Sequence, residues 1–241
     1  MDEETNVKSL STQTADYVAS AAKAALGAVP FAGSLLAEIA GTIIPNQRIE
    51  RIVRFAEQLE SRLSGIEQEF VRSQLSNENF TDLMEEGLRQ AARSVSQERR
   101  EYIASLIASS LSSQDISYLE SKHLLKVLGE LNDVEIIRLG SYLYNTHDGG
   151  KEYWEKHKEV LTPVAARIGS PREEHDKATL QASFDEHLTR LGLLQARYSV
   201  DSRTKQPEFD SHTGAQKIRY HELTSFGHLL LRQVGIATEE M

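Results

Sequence analysis

Apolar residues recur every seven positions at Ile49, Ala56, Leu63 and Phe70, and Ile52, Leu59 and Ile66 fall between them. This spacing predicts a long amphipathic helix with an a/d seam. Arg48, Glu50, Arg51, Arg54, Glu57, Glu60, Arg62 and Glu67 occupy its other faces. The seam is the expected association surface, either as one helix of a bundle or as a coiled coil between copies. A break at Asn77 to Asn79 precedes a second apolar series: Phe80, Leu83, Met84, Leu88, Ala91, Ala92 and Val95. The same series runs on through Tyr102, Ile103, Leu106, Ile107 and Leu111, predicting one further long helix packed antiparallel on the first. Ser109, Ser110, Ser112 and Ser113 end it, and Asp115 is placed to cap the next helix.

Upstream of the seam the pattern changes. From Ala15 to Ile44 the residues are mostly Ala, Gly, Ser and aliphatic, and Asp16, Lys23 and Glu38 are the only charges. Small residues let helix backbones approach closely, in protein or in lipid. Leu26, Gly27, Val29, Pro30, Phe31, Gly33, Leu35, Leu36 and Ile39 form the center of this segment, which is expected to be buried or membrane-active. The uncharged run from Ala24 to Ala37 is shorter than the roughly 20 residues of a spanning helix. Pro30 lacks an amide donor, so two short helices, about 14–29 and 31–44, are expected instead. Pro45 ends the segment and Asn46 is a candidate N-cap for the seam helix.

A domain boundary is expected after residue 114, giving an N-terminal helical domain, 1–114, and a C-terminal domain, 115–241. The second begins with a helix carrying Leu119, Leu124, Leu125, Val127 and Leu128, then one capped by Asp133 and carrying Ile136, Ile137 and Leu139. Asn145 to Gly150 reads as a turn, Tyr153 to Ile168 as one or two helices broken near Pro163, and Glu173 to Leu191 as another helix. A strand from Gln195 to Val200, a long polar tip and a strand from Lys217 to Tyr220 lead into a closing helix. The expected fold is therefore mostly α: a helical bundle with long amphipathic helices, followed by an α+β domain with one β-hairpin.

Leu191, Gly192 and Leu193, followed by Tyr220, Leu223, Thr224 and Gly227, resemble the end of a winged helix. There a helix finishes in a Leu-Gly-Leu/Ile step, a two-stranded wing follows, and a Tyr-x-Leu-Thr-x-x-Gly step opens the last helix. The match covers about a third of the chain and departs by one inserted residue, Glu222. Gly192 suits the tight turn and Thr224 can cap the closing helix. The resemblance implies a DNA-binding or partner-binding module, and its contacts would lie on Arg197, Arg203, Lys205, Lys217 and Arg219 of the wing. The chain as a whole resembles bacterial helical proteins that join a small-residue N-terminal segment and long helices to such an end. Its first segment is also similar to membrane-active helical effectors of bacterial conflict.

Charge qualifies that picture. The 241 residues carry a formal net charge of −9, which opposes DNA and anionic lipid in bulk. The recognition-like stretch Asp176–Gly192 offers Lys177 and Arg190 against Asp176, Asp185 and Glu186. There is no cysteine, which excludes disulfides and thiolate chemistry. Met1, Asp2, Glu3 and Glu4 have the wrong sign for a secretory leader, so a cytoplasmic location is expected, with peripheral membrane contact through the first segment. The His147-Asp148 and His175-Asp176 pairs lack companion ligands and are read as polar turns or helix starts, and lone Trp154 as a core anchor. No cofactor, metal or small-molecule motif is present. These features lead to a non-enzymatic protein that works by association, as a homo-oligomer or with a protein partner. The alternative is a winged-helix regulator with an N-terminal dimerisation bundle.

Overall fold

The computed structural model describes residues 29, 31–39, 48–112, 116–144, 150–167, 169–210 and 214–237. Among them are eleven α-helices and one two-stranded antiparallel sheet, in accord with the mostly α fold expected. They fall into two compact units, one running to Glu130 and including Gln233–Gly235, the other comprising Leu131–Arg232 and the residues from Ile236. The divide was expected at 114/115; the helix after that point, Tyr118–Glu130, packs on the helices Glu78–Arg93 and Gln97–Ser112 and so belongs to the first unit.

The first unit contains α1 (Ala32–Ile39), α2 (Ile49–Leu63), α3 (Gln68–Gln74), α4 (Glu78–Arg93), α5 (Gln97–Ser112) and α6 (Tyr118–Glu130). The seam does not make one three-heptad helix. It stops at Leu63, where Ser64 bonds back to the Ser61 carbonyl at 2.8 Å and side-chain-free Gly65 follows. Ile66 is half-buried in the connection, and Phe70 lies on α3, 41% exposed. Ile52, Ala56, Leu59 and Leu63 are buried, together with Phe55, in the unit's own core beneath α5, α1 and α4. Those four residues are therefore spent inside one chain and present no surface to another copy. Ile49 opens α2, and the Asn46 cap lies outside the described residues.

The second apolar series likewise breaks. Ser94 donates to the Gln90 carbonyl at 2.8 Å and leaves the helix in an extended conformation, while Ser96 accepts the Arg99 amide at 3.0 Å to start α5. Two helices replace the single long one expected. Gln58 meets Glu101 at 3.3 Å and Arg62 meets Ser105 at 2.5 Å, so α5 runs in the same direction as α2. α4 packs closely on α5 at Gly87, where a Cβ would come within 2.5 Å of Ile107 Cδ1 and displace that methyl.

In the N-terminal segment, Val29, Phe31, Ala32, Gly33 and Leu36 are buried. The Glu60 carboxylate of α2 accepts the Phe31 and Ala32 amides at 3.1 and 2.5 Å, satisfying donors at the start of α1. The Arg72 guanidinium lies 5.2 Å from the Phe31 ring centroid. Leu35 and Ile39 fall within α1; Leu26, Gly27, Pro30 and all of the expected helix 14–29 except Val29 lie outside the described residues, as does Asp115. Among the described residues no helix is long and apolar enough to cross a membrane.

The second unit contains α7 (Asp133–Ser141), a 3-10 turn (Tyr142–Tyr144), α8 (Gly150–Lys156), α9 (Lys158–Leu161), α10 (Arg172–Arg190), β1 (Leu194–Tyr198), β2 (Ile218–Leu223) and α11 (Ser225–Gln233). Asn132, rather than Asp133, caps α7, in a reciprocal box with Glu135. Trp154 is not a core anchor: it is 41% exposed. Its neighbour Tyr153 takes the inward position on α8 and donates to the Ile137 carbonyl at 2.9 Å, and adjacent helix residues point about 100° apart. The buried Leu188, Leu193, Leu194, Leu230 and Leu231 form the apolar base on which the hairpin stands.

Candidate contact site on the hairpin

The base of the hairpin is set by three short-range constraints. Gly192 has φ +74°, the left-handed turn that lets the chain leave α10 and enter β1. Thr224 Oγ1 accepts the Gly227 amide at 3.0 Å, capping α11, and donates to the Gly192 carbonyl at 2.7 Å. A Cβ on Gly227 would sit 2.4 Å from the Leu193 carbonyl oxygen, so only glycine allows α11 to approach this close.

From there β1 and β2 pair antiparallel, Leu194 with Leu223, Ala196 with His221 and Arg197 with Tyr220. The register then slips: Tyr198 faces Ile218, leaving Arg219 as the extra residue of a bulge. The expected long polar tip is in fact folded. Ser199 donates to the Lys217 carbonyl at 2.8 Å and Glu208 donates to the Ser199 carbonyl at 3.0 Å, so residues 207–209 return alongside both flanks. Two backbone closures make this possible. In one, Asp201 Oδ1 accepts the Arg203 and Thr204 amides at 2.9 and 2.6 Å, and Lys205 takes a φ of +58°. Those bonds hold the Asp201 carboxyl below its ordinary range, the Thr204 amide contributing most. In the other, the Asp210 amide bonds the Ala215 carbonyl at 2.8 Å and Gly214 has φ +68°.

This folded tip projects apolar groups into water. Phe209 is 63% exposed, Val200 53%, Tyr220 50%, Tyr198 48% and Ile218 46%. All five wing residues named from the sequence, Arg197, Arg203, Lys205, Lys217 and Arg219, are exposed on the same element. Between positions 197 and 220 these five basic residues stand against Asp201, Glu208 and Asp210, so the tip is locally positive in an acidic chain. Arg197 forms an ion pair across the strands with Glu222, which keeps that carboxyl below its usual range. The Arg219 guanidinium lies 5.9 Å from the Tyr220 ring centroid. The flanking helix is of opposite character. On α10, Glu173, Glu174, Asp176 and Glu186 are exposed, and its Arg172 and Lys177 sit beside Asp176 and Glu173 at 3.8 and 2.8 Å.

Sequence reasoning identified the basic residues of the tip but not its aromatic ones; the alternation of Tyr198, Val200, Ile218 and Tyr220 with charged neighbours was the available signal. His175 and Asp176 lie exposed on α10, and His147 and Asp148 are outside the described residues. Among the described residues no group of three or more His, Cys, Asp and Glu side chains is arranged to hold a metal ion. No family model, curated protein or solved structure matches this chain.

Proposed function

We propose that this chain is a non-enzymatic binding protein that makes its contact through the hairpin of the second unit. One observation carries the reading: five large apolar side chains, three of them aromatic, stand about half exposed on a tip that also holds five basic residues. Exposed clusters of this kind mark interaction surfaces. The first unit serves as scaffold, because Ile52, Ala56, Leu59 and Leu63 are consumed by its own core.

A photo-reactive phenylalanine analogue at position 209 tests the reading in the full chain within its native cells. A discrete adduct is expected from position 209 and none from position 95, an exposed apolar site on the first unit. Equal labelling from both positions would refute it.

A further inference from the structure

We propose that the hairpin takes a single-stranded nucleic acid, stacking bases on Tyr220 and setting Lys217 and Arg219 against the phosphates; this rests on the hairpin being the contact element. Tyr220 offers half its surface to solvent, Arg219 lies near its ring, and Arg197 across the ladder is already paired with Glu222. Lys217 and the turn residues Arg203 and Lys205 extend the positive charge along the tip. A strand with splayed bases satisfies both kinds of group at once, since bases stack on aromatic rings while guanidinium and ammonium groups neutralise the backbone. An acidic protein surface would use the basic side chains and leave the Tyr220 ring in water. A purely apolar surface would bury the cations without partners.

Duplex DNA fits less well. Its bases are stacked inside, out of reach of exposed rings, and the adjoining α10 presents Glu173, Glu174, Asp176 and Glu186 rather than groove-reading cations. With so few cations on the tip, about two to four phosphates are neutralised, which predicts a shallow salt slope of about −2 for log K against log salt.

Fluorescence anisotropy with a labelled oligothymidine of about 15 nucleotides and a duplex of equal length, on the full chain at low salt, tests this. The strand should bind at least about tenfold more tightly than the duplex. Tyr220→Ala should weaken strand binding about tenfold and Tyr220→Phe should restore it, because stacking needs the ring and not the hydroxyl. Lys217→Ala with Arg219→Ala should flatten the salt slope by about 1.4. Circular dichroism of each variant verifies that the helices are intact. Equal or tighter duplex binding overturns the proposal, as does Tyr220→Ala binding like the parent. Absence of strand binding while the position-209 adduct with a protein persists overturns it too, and leaves the contact reading standing.

Discussion

Glu135 Oε1 lies 2.6 Å from His187 Nδ1, joining the start of α7 to the last turn of α10 across 52 residues of sequence. The same carboxylate closes the capping box by accepting the Asn132 amide at 2.8 Å through its other oxygen. Its side chain is only 4% exposed, against 20% for His187. One turn further along α7, Arg138 holds Asp185 of α10 with both carboxylate oxygens at 2.8 Å. These two pairs fix the helix that leads into the hairpin.

Glu135→Ala removes the cap and the His187 partner together and should cost about 3 kcal/mol, whereas His187→Ala should cost about 1 to 2. A double-mutant cycle read from urea midpoints should show a coupling of about 1 kcal/mol. If His187→Ala proved the more damaging, the carboxylate would not be the center of the network.

Leu59→Asp should unfold the first unit rather than dissociate an assembly. The side chain is fully buried, and a charge there without a partner costs more than about 4 kcal/mol. Phe70→Asp, on the exposed face of α3, should change stability by less than about 0.5 kcal/mol. Circular dichroism and light scattering on the parent and both variants decide between core and seam: a folded, monomeric Leu59→Asp protein from an oligomeric parent would return the seam to an association role.

Two glycines at the hairpin base should respond differently to alanine. Gly227→Ala drives a Cβ into backbone and should cost more than about 2 kcal/mol. Gly192→Ala meets no atom within 4 Å and suffers only the left-handed backbone, about 1 kcal/mol. Melting temperatures in the reverse order would contradict the packing described.

Burial, reinforced by the Asp185 carboxylate, raises the Tyr142 hydroxyl to about 12. The folded state therefore holds this proton more tightly than the unfolded chain, where a tyrosine titrates near 10. Its contribution is complete below about pH 10 and is lost as pH rises from there toward 12. Allowing for its partial exposure, the loss should be about 1 to 2 kcal/mol. Tyr142→Phe should flatten this alkaline decline in a pH series of urea midpoints; an unchanged decline would assign it to other groups.

Removing the Glu60 carboxylate should loosen α1 selectively. Glu60→Ala leaves the Phe31 and Ala32 amides without their acceptor, a change of about 1 kcal/mol. Hydrogen exchange should accelerate in residues 32–39 and not in α4. Uniform acceleration would mean that Glu60 supports the whole unit instead.

Local rules written in the sequence determined a good deal. The spacing of Ile52, Ala56, Leu59 and Leu63 marks the buried face of α2 whatever covers it, because a 3.6-residue period places them on one side. Gly192, Thr224 and Gly227 announce the hairpin base, since a left-handed turn, a hydroxyl cap and a side-chain-free contact each demand a particular residue type. Only the tertiary structure decided what those faces meet. A heptad seam looks the same whether its partner is another chain or α5, and apolar periodicity runs unbroken across Ser94 to Ser96, where side-chain hydroxyls turn the backbone. Burial of Glu135 against His187, the outward turn of Trp154 and the exposure of Tyr220 all depend on contacts between residues remote in sequence, which no local period encodes.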